Sequence, residues 1–422
     1  MKYLKLPVAM LVTLFYALVL VVDRSAGVIY SLLLLLALAG IIGRARPEGK
    51  TFFLLAKEYW PLLAAMSAPL VAVLANQLAT GHFAGRSYDS QSRLALFGLV
   101  FWVMLLVPLN YLKQVQWGLI VGACLAIVKI YTLTAGGETR YGTDFIPIII
   151  FAELVLLLGV FSLFSIAWDK RHSWLLMGLK IVAAGAGVYA AYLSQSRGTW
   201  VTIFVFAILG SMVVRHIPRV YKIGAAIVFA VVVAGVFQHS SILKERLAVA
   251  EKDIQLYTTG TDRDTSLGIR FQLWHGSWIL FKEHPLFGVG VEQYQGALQE
   301  LAERKIISPF SASLPHSHNE ILFMMARLGV LGLLAILAVY FVPLYYFIRD
   351  VRHADMEVRC VAGMGMALSL GFFTLGLVDV VFLWWECYPF YAISTAFCMT
   401  YVIKRKSFLA QQVLRTEPAA MA

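Results

Sequence analysis

The chain has 422 residues, of which 60% are hydrophobic and 14% are charged. An average soluble domain carries about 25% charged residues, so this composition excludes an ordinary soluble protein. The formal net charge of +11 does not indicate nucleic-acid binding. Most Lys and Arg residues lie in short loops between long apolar runs, where such residues set the orientation of a membrane protein.

The apolar runs predict an all-α polytopic membrane protein with about twelve transmembrane helices, each of about 20 residues. These segments lie near 6–22, 26–43, 60–79, 94–112, 116–133, 145–167, 174–193, 200–214, 222–238, 321–348, 360–380 and 384–403. We interpret the first segment as a span and not as a cleaved signal peptide. It lacks a small-residue cleavage site, and a second apolar run follows at once.

The segments divide the chain into four parts. Residues 1–238 hold spans one to nine, 239–320 form a long hydrophilic segment, 321–403 hold spans ten to twelve, and 404–422 form a tail. Nineteen Lys and Arg residues lie on one side of the predicted bundle, against five in the short loops of the other. This bias predicts that both termini are cytoplasmic and that the long segment lies on the outer side of the membrane.

The long outer segment is predicted to be helical. Helical spacing of apolar residues over 240–257, 269–283 and 292–305 predicts three helices, and His284-Pro285 ends the second. The pair Gly288 and Gly290 does not form a dinucleotide-binding motif, because the motif is incomplete and no βαβ unit surrounds it.

Three arginines are candidates for recognition of negative charge. Arg197, between Ser196 and Gly198 at the predicted outer boundary, either anchors its helix by reaching water or offers paired donors to a phosphate. Arg270 is either a solvated surface charge or the second half of a clamp for a diphosphate. Arg327 lies inside span ten, where a charge is costly. It is therefore either a substrate-binding residue or one half of a structural ion pair.

A polar group precedes span ten. His316 and His318 are two residues apart, a spacing that points side chains to different faces of a helix. No HEXXH motif is present, so we predict no metal site. Imidazole titrates near neutral pH, which makes a histidine a suitable general base for a hydroxyl. The alternative, that Ser317 or Asn319 caps the helix, is compatible with this role.

Further polar residues lie at the predicted outer face. Asp379, near the outer end of span eleven, is either a partner for an arginine or a substrate contact. Arg93 and Arg140 lie in predicted outer loops, where they either line the rim of a cavity or anchor their loops.

Residues 190–335 resemble the bacterial O-antigen ligase and polymerase superfamily. The signature of that superfamily, His-Asn followed after nine residues by Gly-x-x-Gly, is present at 318–332, although Leu333 stands where the family often has Thr. The segment SRGTW at 196–200 matches the Ser-Arg-Gly segment of the family, and the run RFQLW…HPLFGVGVEQY resembles its second conserved arginine region.

The resemblance implies a GT-C-like membrane fold and glycosyl transfer at the periplasmic face of the bacterial inner membrane. The donor would be a polysaccharide on undecaprenyl pyrophosphate, and the acceptor of a ligase would be a hydroxyl of the lipid A core. It implies that His318 is the base, that Arg197 and Arg270 stabilise the pyrophosphate, and that Asn319 holds the histidine or the acceptor. Neither a metal nor another cofactor is implied.

Three other functions are alternatives. A polymerase of the superfamily commonly divides its outer arginines between two large loops, whereas this chain has one large hydrophilic segment. Protein-directed glycosyltransferases usually carry a larger outer domain after the last motif. A transporter is expected to show matched halves with helices broken at the midplane, and the sequence shows no internal repeat.

Overall fold

The computed structural model describes residues 2–139, 142–169, 173–214 and 218–416, and these residues form helices and loops without β-strands. The α-helices are α1 (Lys2–Leu18), α2 (Ser25–Ile42), α3 (Phe52–Glu58), α4 (Trp60–Thr80), α5 (Arg86–Ala95), α6 (Phe97–Met104), α7 (Leu109–Leu112), α8 (Val115–Leu133), α9 (Ile148–Phe164), α10 (Trp174–Leu193), α11 (Arg197–Val213), α12 (Arg219–His239), α13 (Ser241–Thr259), α14 (Ser266–Glu283), α15 (Tyr294–Glu303), α16 (Pro309–Ala312), α17 (Glu320–Asp350), α18 (Met356–Gly376) and α19 (Cys387–Thr416). Short 3-10 helices lie at Pro47–Gly49, Ala135–Gly137, Ser165–Trp168 and Val381–Leu383.

The protein is a polytopic all-α membrane protein. Seven helical stretches of the described residues are long and apolar enough to cross a bilayer: Ser25–Ile42, Trp60–Thr80, Leu109–Leu133, Ile148–Trp168, Trp174–Leu193, Glu320–Asp350 and Met356–Gly376. Tyr3–Leu18 and Gly198–Val213 are shorter apolar helices. The predicted segment 94–112 is divided among short helices, so the number of twelve spans stays a prediction.

Helices α9 and α18 and the first half of α19 form the centre of the bundle, and every residue of α19 from Cys387 to Val402 is buried. In α9 and α18, 89% and 83% of the most apolar window is buried inside the protein, against 33–50% in the other candidate spans. A helix that is apolar on every side is stable where protein surrounds it. The other spans keep one apolar face exposed, as expected of helices that contact lipid tails.

Helix α17 is interrupted near its start by the loop that follows α14. Gly329 adopts φ 63° and ψ −151°, a conformation open almost only to glycine. The loop enters this break. The N–H groups of Val289 and Gly290 donate to the carbonyls of Ala326 and Arg327 at 2.9 Å, and that of Val330 donates to Pro285 at 2.8 Å. The break therefore satisfies its backbone groups through the loop, as a buried helix interruption requires.

Ion pairs lie at the end of the bundle where α17 ends and α18 begins. They are Lys113–Glu357 at 2.8 Å, Lys404–Glu48 at 2.5 Å, Arg405–Asp355 at 2.9 Å and Lys406–Asp350. The lysines and arginine of these pairs belong to the nineteen that the charge count assigns to one side. The polar residues singled out near 318 lie at the opposite end of α17, which spans 31 residues.

We predict that Gly329→Ala destabilises the protein by at least about 3 kcal/mol, because it combines an unfavourable backbone conformation with a backbone clash. A Cβ at this position would lie 2.4 Å from the carbonyl carbon and oxygen of Leu286. Gly178→Ala in α10 is the matched control, since a Cβ there meets no atom within 4 Å. The thermal midpoints of the detergent-solubilised variants measure the difference. Equal midpoints for the two variants would contradict the prediction.

Candidate functional site

Asn319 begins α17 and joins it to the loop between α18 and α19, residues 377–386, here called the α18–α19 loop. The Asn319 side-chain oxygen accepts from the N–H of Leu322 at 3.0 Å, the geometry of an N-cap. Its side-chain nitrogen donates to the carbonyl of Leu377 at 3.1 Å. Glu320 accepts from the N–H of Phe382 at 2.8 Å. The cap residue and the first residue of α17 thus fix the start and the middle of this loop.

The fixed loop brings Asp379 to both histidines. Asp379 Oδ1 lies 3.4 Å from His318 Nδ1 and 3.9 Å from His316 Nδ1. The two imidazole rings are 4.2 Å apart in an edge-to-face arrangement. We call these three residues the histidine–aspartate cluster.

The expectation that a two-residue spacing separates the histidines is wrong. Both histidines precede α17, and His318 adopts a left-handed φ of 51°. Its backbone N–H donates to His316 Nδ1 at 3.2 Å, which folds the two rings onto one side. Histidine adopts this conformation more readily than most residues, but it is uncommon and concentrates at functional sites.

Burial and charge determine the protonation of the cluster. The exposed fractions of the side chains are 11% for His316, 26% for His318 and 7% for Asp379. Burial, together with the positive charges of His318 and Arg270, lowers the pKa of His316 to about 4, although Asp379 acts in the opposite direction. Burial raises the pKa of Asp379, but the contact with His318 and the charges of both histidines outweigh it, so this pKa is lowered overall. His316 is therefore neutral and Asp379 ionised at neutral pH.

The cluster also contains donor atoms that suit a cation. One ligand atom from each of its three residues lies within 4.8 Å of the other two. Two imidazoles and a carboxylate are ligands that zinc accepts in catalytic sites. Because this geometry permits a metal, the predicted absence of a metal requires an experimental test.

Arg270 lines a cavity of about 300 Å³ beside the cluster. Its wall contains Gln195, Ser196, Gly198, Arg270, Phe271, Trp274 and Val378. Val378 precedes Asp379, so the cavity and the cluster share the α18–α19 loop. The influence of the Arg270 charge on the pKa of His316 places these groups within electrostatic range. We call this space the Arg270 cavity.

Arg197 is the first residue of α11, and the residues on both of its sides line the Arg270 cavity. A Cβ on Gly198 would lie 2.5 Å from a methyl group of Val378, so glycine allows the first turn of α11 to pack against the α18–α19 loop. The structure thus brings the start of α11 to this cavity. The side chain of Arg197 lies outside the described part of the structure.

Arg327 does not join the cluster. Its guanidinium group lies over the ring of Phe323 at 4.3 Å, a cation–π contact. Among the described residues, no carboxylate lies within 4 Å of it and its Nε has no hydrogen-bond partner. Among the described residues Arg327 thus has no direct ion pair, although the charges of Glu320 and Glu292 act on it from beyond 4 Å.

The remaining predicted residues lie elsewhere. Arg93 in α5 pairs with Asp89 at 3.2 Å and lies over Trp385 at 5.4 Å, in a cavity that does not contain Arg270. Arg140 lies outside the described residues.

Sequence analysis missed Trp384 and Trp385, which line that second cavity. The sequence feature that could have identified them is the run WWE at 384–386. An acid next to two aromatic residues is unusual at a predicted span boundary.

Comparisons with known proteins match the part of the chain that carries the two histidines and Arg270. A family model described as O-antigen ligase matches residues 182–337, a range that contains Arg197, Arg270 and both histidines. An uncharacterised protein of Haemophilus influenzae is 23% identical over 291 residues, which is 67% of this chain and 71% of that protein. An O-antigen ligase of Escherichia coli K12 is 22% identical over 260 residues, which is 61% of this chain and 58% of that protein. Residues 182–337 of the chain are therefore similar to the O-antigen ligase family, and the chain is distantly similar to an O-antigen ligase.

Proposed function

We propose that this protein is an O-antigen ligase, a glycosyltransferase that moves a polysaccharide from undecaprenyl pyrophosphate to a hydroxyl of the lipid A core. The reaction would occur at the periplasmic face of the bacterial inner membrane, with both termini of the chain in the cytoplasm. The similarity to the O-antigen ligase family supports a lipid-linked glycan donor and a lipid acceptor in general. The observation that carries the proposal is the position of the histidine–aspartate cluster beside the Arg270 cavity.

In this proposal His318 is the general base. Its Nδ1 lies toward Asp379, at 3.4 Å, which leaves Nε2 to remove the proton of the acceptor hydroxyl. The acceptor oxygen forms a bond to the anomeric carbon of the donor sugar while the bond from that carbon to the pyrophosphate oxygen breaks. The bonding electrons leave with undecaprenyl pyrophosphate, and the anomeric configuration inverts. Asp379 lies beside the ring, and its negative charge stabilises the imidazolium ion that forms.

The leaving pyrophosphate gains negative charge, and arginine is suited to stabilise it because its planar fork of donors matches phosphate oxygens. Arg270 supplies this charge from the wall of the cavity beside the cluster. Arg197 would supply the second guanidinium, since its neighbours line the same cavity. Arg327 is assigned a supporting role in substrate binding, and no chemical step passes through it.

His316 takes a positioning role. Its Nδ1 accepts the N–H of His318, which holds His318 in its left-handed conformation. A pKa of about 4 keeps His316 uncharged at neutral pH. The cluster therefore gains only one positive charge when His318 takes a proton, and Asp379 balances that charge.

A polymerase of the same superfamily is the second candidate, because it shares the family match and the proposed chemistry. The ligase is preferred because the chain has one large hydrophilic segment and not two. A transporter would need binding groups near the midplane, whereas the cluster lies where α17 begins.

Deletion of the gene tests the function. For a ligase we expect surface lipid A to lose its long polysaccharide chains while lipid-linked polymer of normal length accumulates. The wild-type gene should restore transfer, and a gene encoding His318→Ala should not. Accumulation of single unlinked repeat units would indicate a polymerase. Unchanged surface glycans would exclude both the ligase and the polymerase.

His318→Ala should lower the transfer rate of the purified protein by about 10²- to 10⁴-fold, the usual contribution of a general base. His318→Asn should fail equally, and it is the better-matched variant because asparagine tolerates the left-handed conformation. His275→Ala is the control, since His275 is an exposed histidine of α14.

The transfer rate of the wild-type protein should be unchanged after exhaustive chelation. Loss of activity on chelation, with recovery on adding zinc, would show that His318 acts as a metal ligand and not as a base.

Arg270→Lys should lower the transfer rate by about 10²-fold, because lysine keeps the charge but loses the paired donors. Arg304→Lys is the matched control, since Arg304 is half-exposed and bonds Glu283 with two nitrogens at 3.0 Å. Single-turnover rates with saturating donor separate this effect from weaker donor binding. A wild-type rate in Arg270→Lys would show that transfer does not require paired donors at this position.

A further inference from the structure

A second and larger cavity lies at the same end of the bundle. It has a volume of about 830 Å³, and we call it the tryptophan cavity. The lining residues that matter here are Asp23, Asp89, Arg93, Asp144, Trp384 and Trp385. Both tryptophans are half-buried, so each presents part of its ring to the cavity. None of these residues has a role in the mechanism proposed above.

Polar groups without partners gather around this cavity. Among the described residues, the indole N–H of Trp384 and the Nε of Arg93 are buried and have no hydrogen-bond partner. Both carboxylate oxygens of Glu386 are also buried without a partner, but this residue, which follows Trp385 in the chain, does not line the cavity. Unpaired buried polar atoms are rare in native proteins, and each calls for an explanation. Trp384 and Arg93 line the cavity, so the hydroxyl groups of a ligand that displaces these side chains would satisfy the two donors.

The chemistry of the lining favours a neutral sugar. The faces of tryptophan rings contact the apolar faces of pyranose rings, while carboxylates and N–H groups bond the hydroxyls. Three aspartates and two arginines, Arg24 and Arg93, line the cavity, so it carries no excess of positive charge. A pyrophosphate or phosphate group is therefore disfavoured here, in contrast to the Arg270 cavity.

The tryptophan cavity is coupled to the histidine–aspartate cluster through one loop. Asp379 and Trp384 are five residues apart in the α18–α19 loop, which limits the distance between their Cα atoms to about 18 Å. Between them, the N–H of Phe382 is bonded to Glu320 at 2.8 Å. An extended glycan of a few sugars could therefore occupy the cavity and reach the cluster.

One wall of the cavity suits a ligand attached to a lipid. It is formed by α2, where Val28 and Leu32 line the cavity and are 57% and 41% exposed. Since α2 is a candidate membrane span, these side chains lie where lipid tails are expected. The cavity thus has one apolar wall that faces the lipid and other walls that are polar and aromatic.

We propose that the tryptophan cavity is a saccharide subsite that binds neutral sugar residues of one glycolipid substrate through Trp384, Trp385 and the surrounding carboxylates. This inference rests on the proposed glycosyltransferase function and adds a place where the sugar is held during transfer. The donor glycan and the acceptor core oligosaccharide offer the same chemistry, and binding measurements distinguish them.

The test measures equilibrium binding to the His318→Asn protein, in which turnover is expected to be blocked. The two probes are lipid A carrying its core oligosaccharide and a polysaccharide linked to undecaprenyl pyrophosphate. In this background Trp385→Ala should raise the Kd for one probe by about tenfold, which corresponds to about 1.4 kcal/mol. Trp385→Phe should raise it less, because an aromatic face remains. Trp60→Ala is the matched control, since Trp60 is a 66% exposed tryptophan at the start of α4.

A rise for the lipid A probe assigns the subsite to the acceptor, and a rise for the other probe assigns it to the donor glycan. An unchanged Kd for both probes would overturn the proposal. If Trp385→Ala does not fold, oxidation of Trp384 and Trp385 by N-bromosuccinimide is measured in the His318→Asn protein by mass spectrometry. Protection by one probe supports the subsite, and equal oxidation with and without both probes rejects it. Transfer activity in His318→Asn would contradict the proposed base without affecting these binding results.

Discussion

Asn319 and the first ten residues of α17 are the constraint on which the candidate site depends. Asn319 and Glu320 hold the α18–α19 loop through Leu377 and Phe382, and this brings Asp379 to the histidines. Farther along the same helix, the break at Gly329 accepts the loop that follows α14. Because α14 carries Arg270, one helix start aligns two segments that are distant in sequence. A rigid element that fixes several side chains is what precise catalytic geometry requires.

The Gly-x-x-Gly part of the superfamily signature has a structural explanation here. Gly329 adopts a backbone conformation that a residue with a Cβ would resist, and a Cβ on Gly332 would lie 2.3 Å from the carbonyl oxygen of Met324. Both glycines lie within α17, away from the cluster, and they act on it through the backbone. The histidine of the signature thus lies in the candidate site, and the glycines shape the backbone of the helix that begins beside it.

Two cavities of different chemistry meet at the α18–α19 loop. Arg270 gives one of them positive charge close to the histidine–aspartate cluster, whereas tryptophans and aspartates dominate the other. A transferase with a charged leaving group and a neutral glycan needs such a separation, because a cationic surface that binds pyrophosphate gives little selectivity for sugars. The loop that carries Asp379, Trp384 and Trp385 would then align the glycan with the base.

The sequence by itself determined that this is an all-helical membrane protein, because long apolar runs admit few other structures in a bilayer. It also singled out His316, His318 and Asp379, since polar residues at span ends stand out against an apolar chain. Only the tertiary structure decided which of them meet. The spacing of the histidines was misleading because it assumed a helix, whereas His318 has a left-handed conformation. Arg93 and Arg270 were both predicted to lie at the outer face, and packing of distant helices and an inserted loop, which no local pattern encodes, assigned them to different cavities.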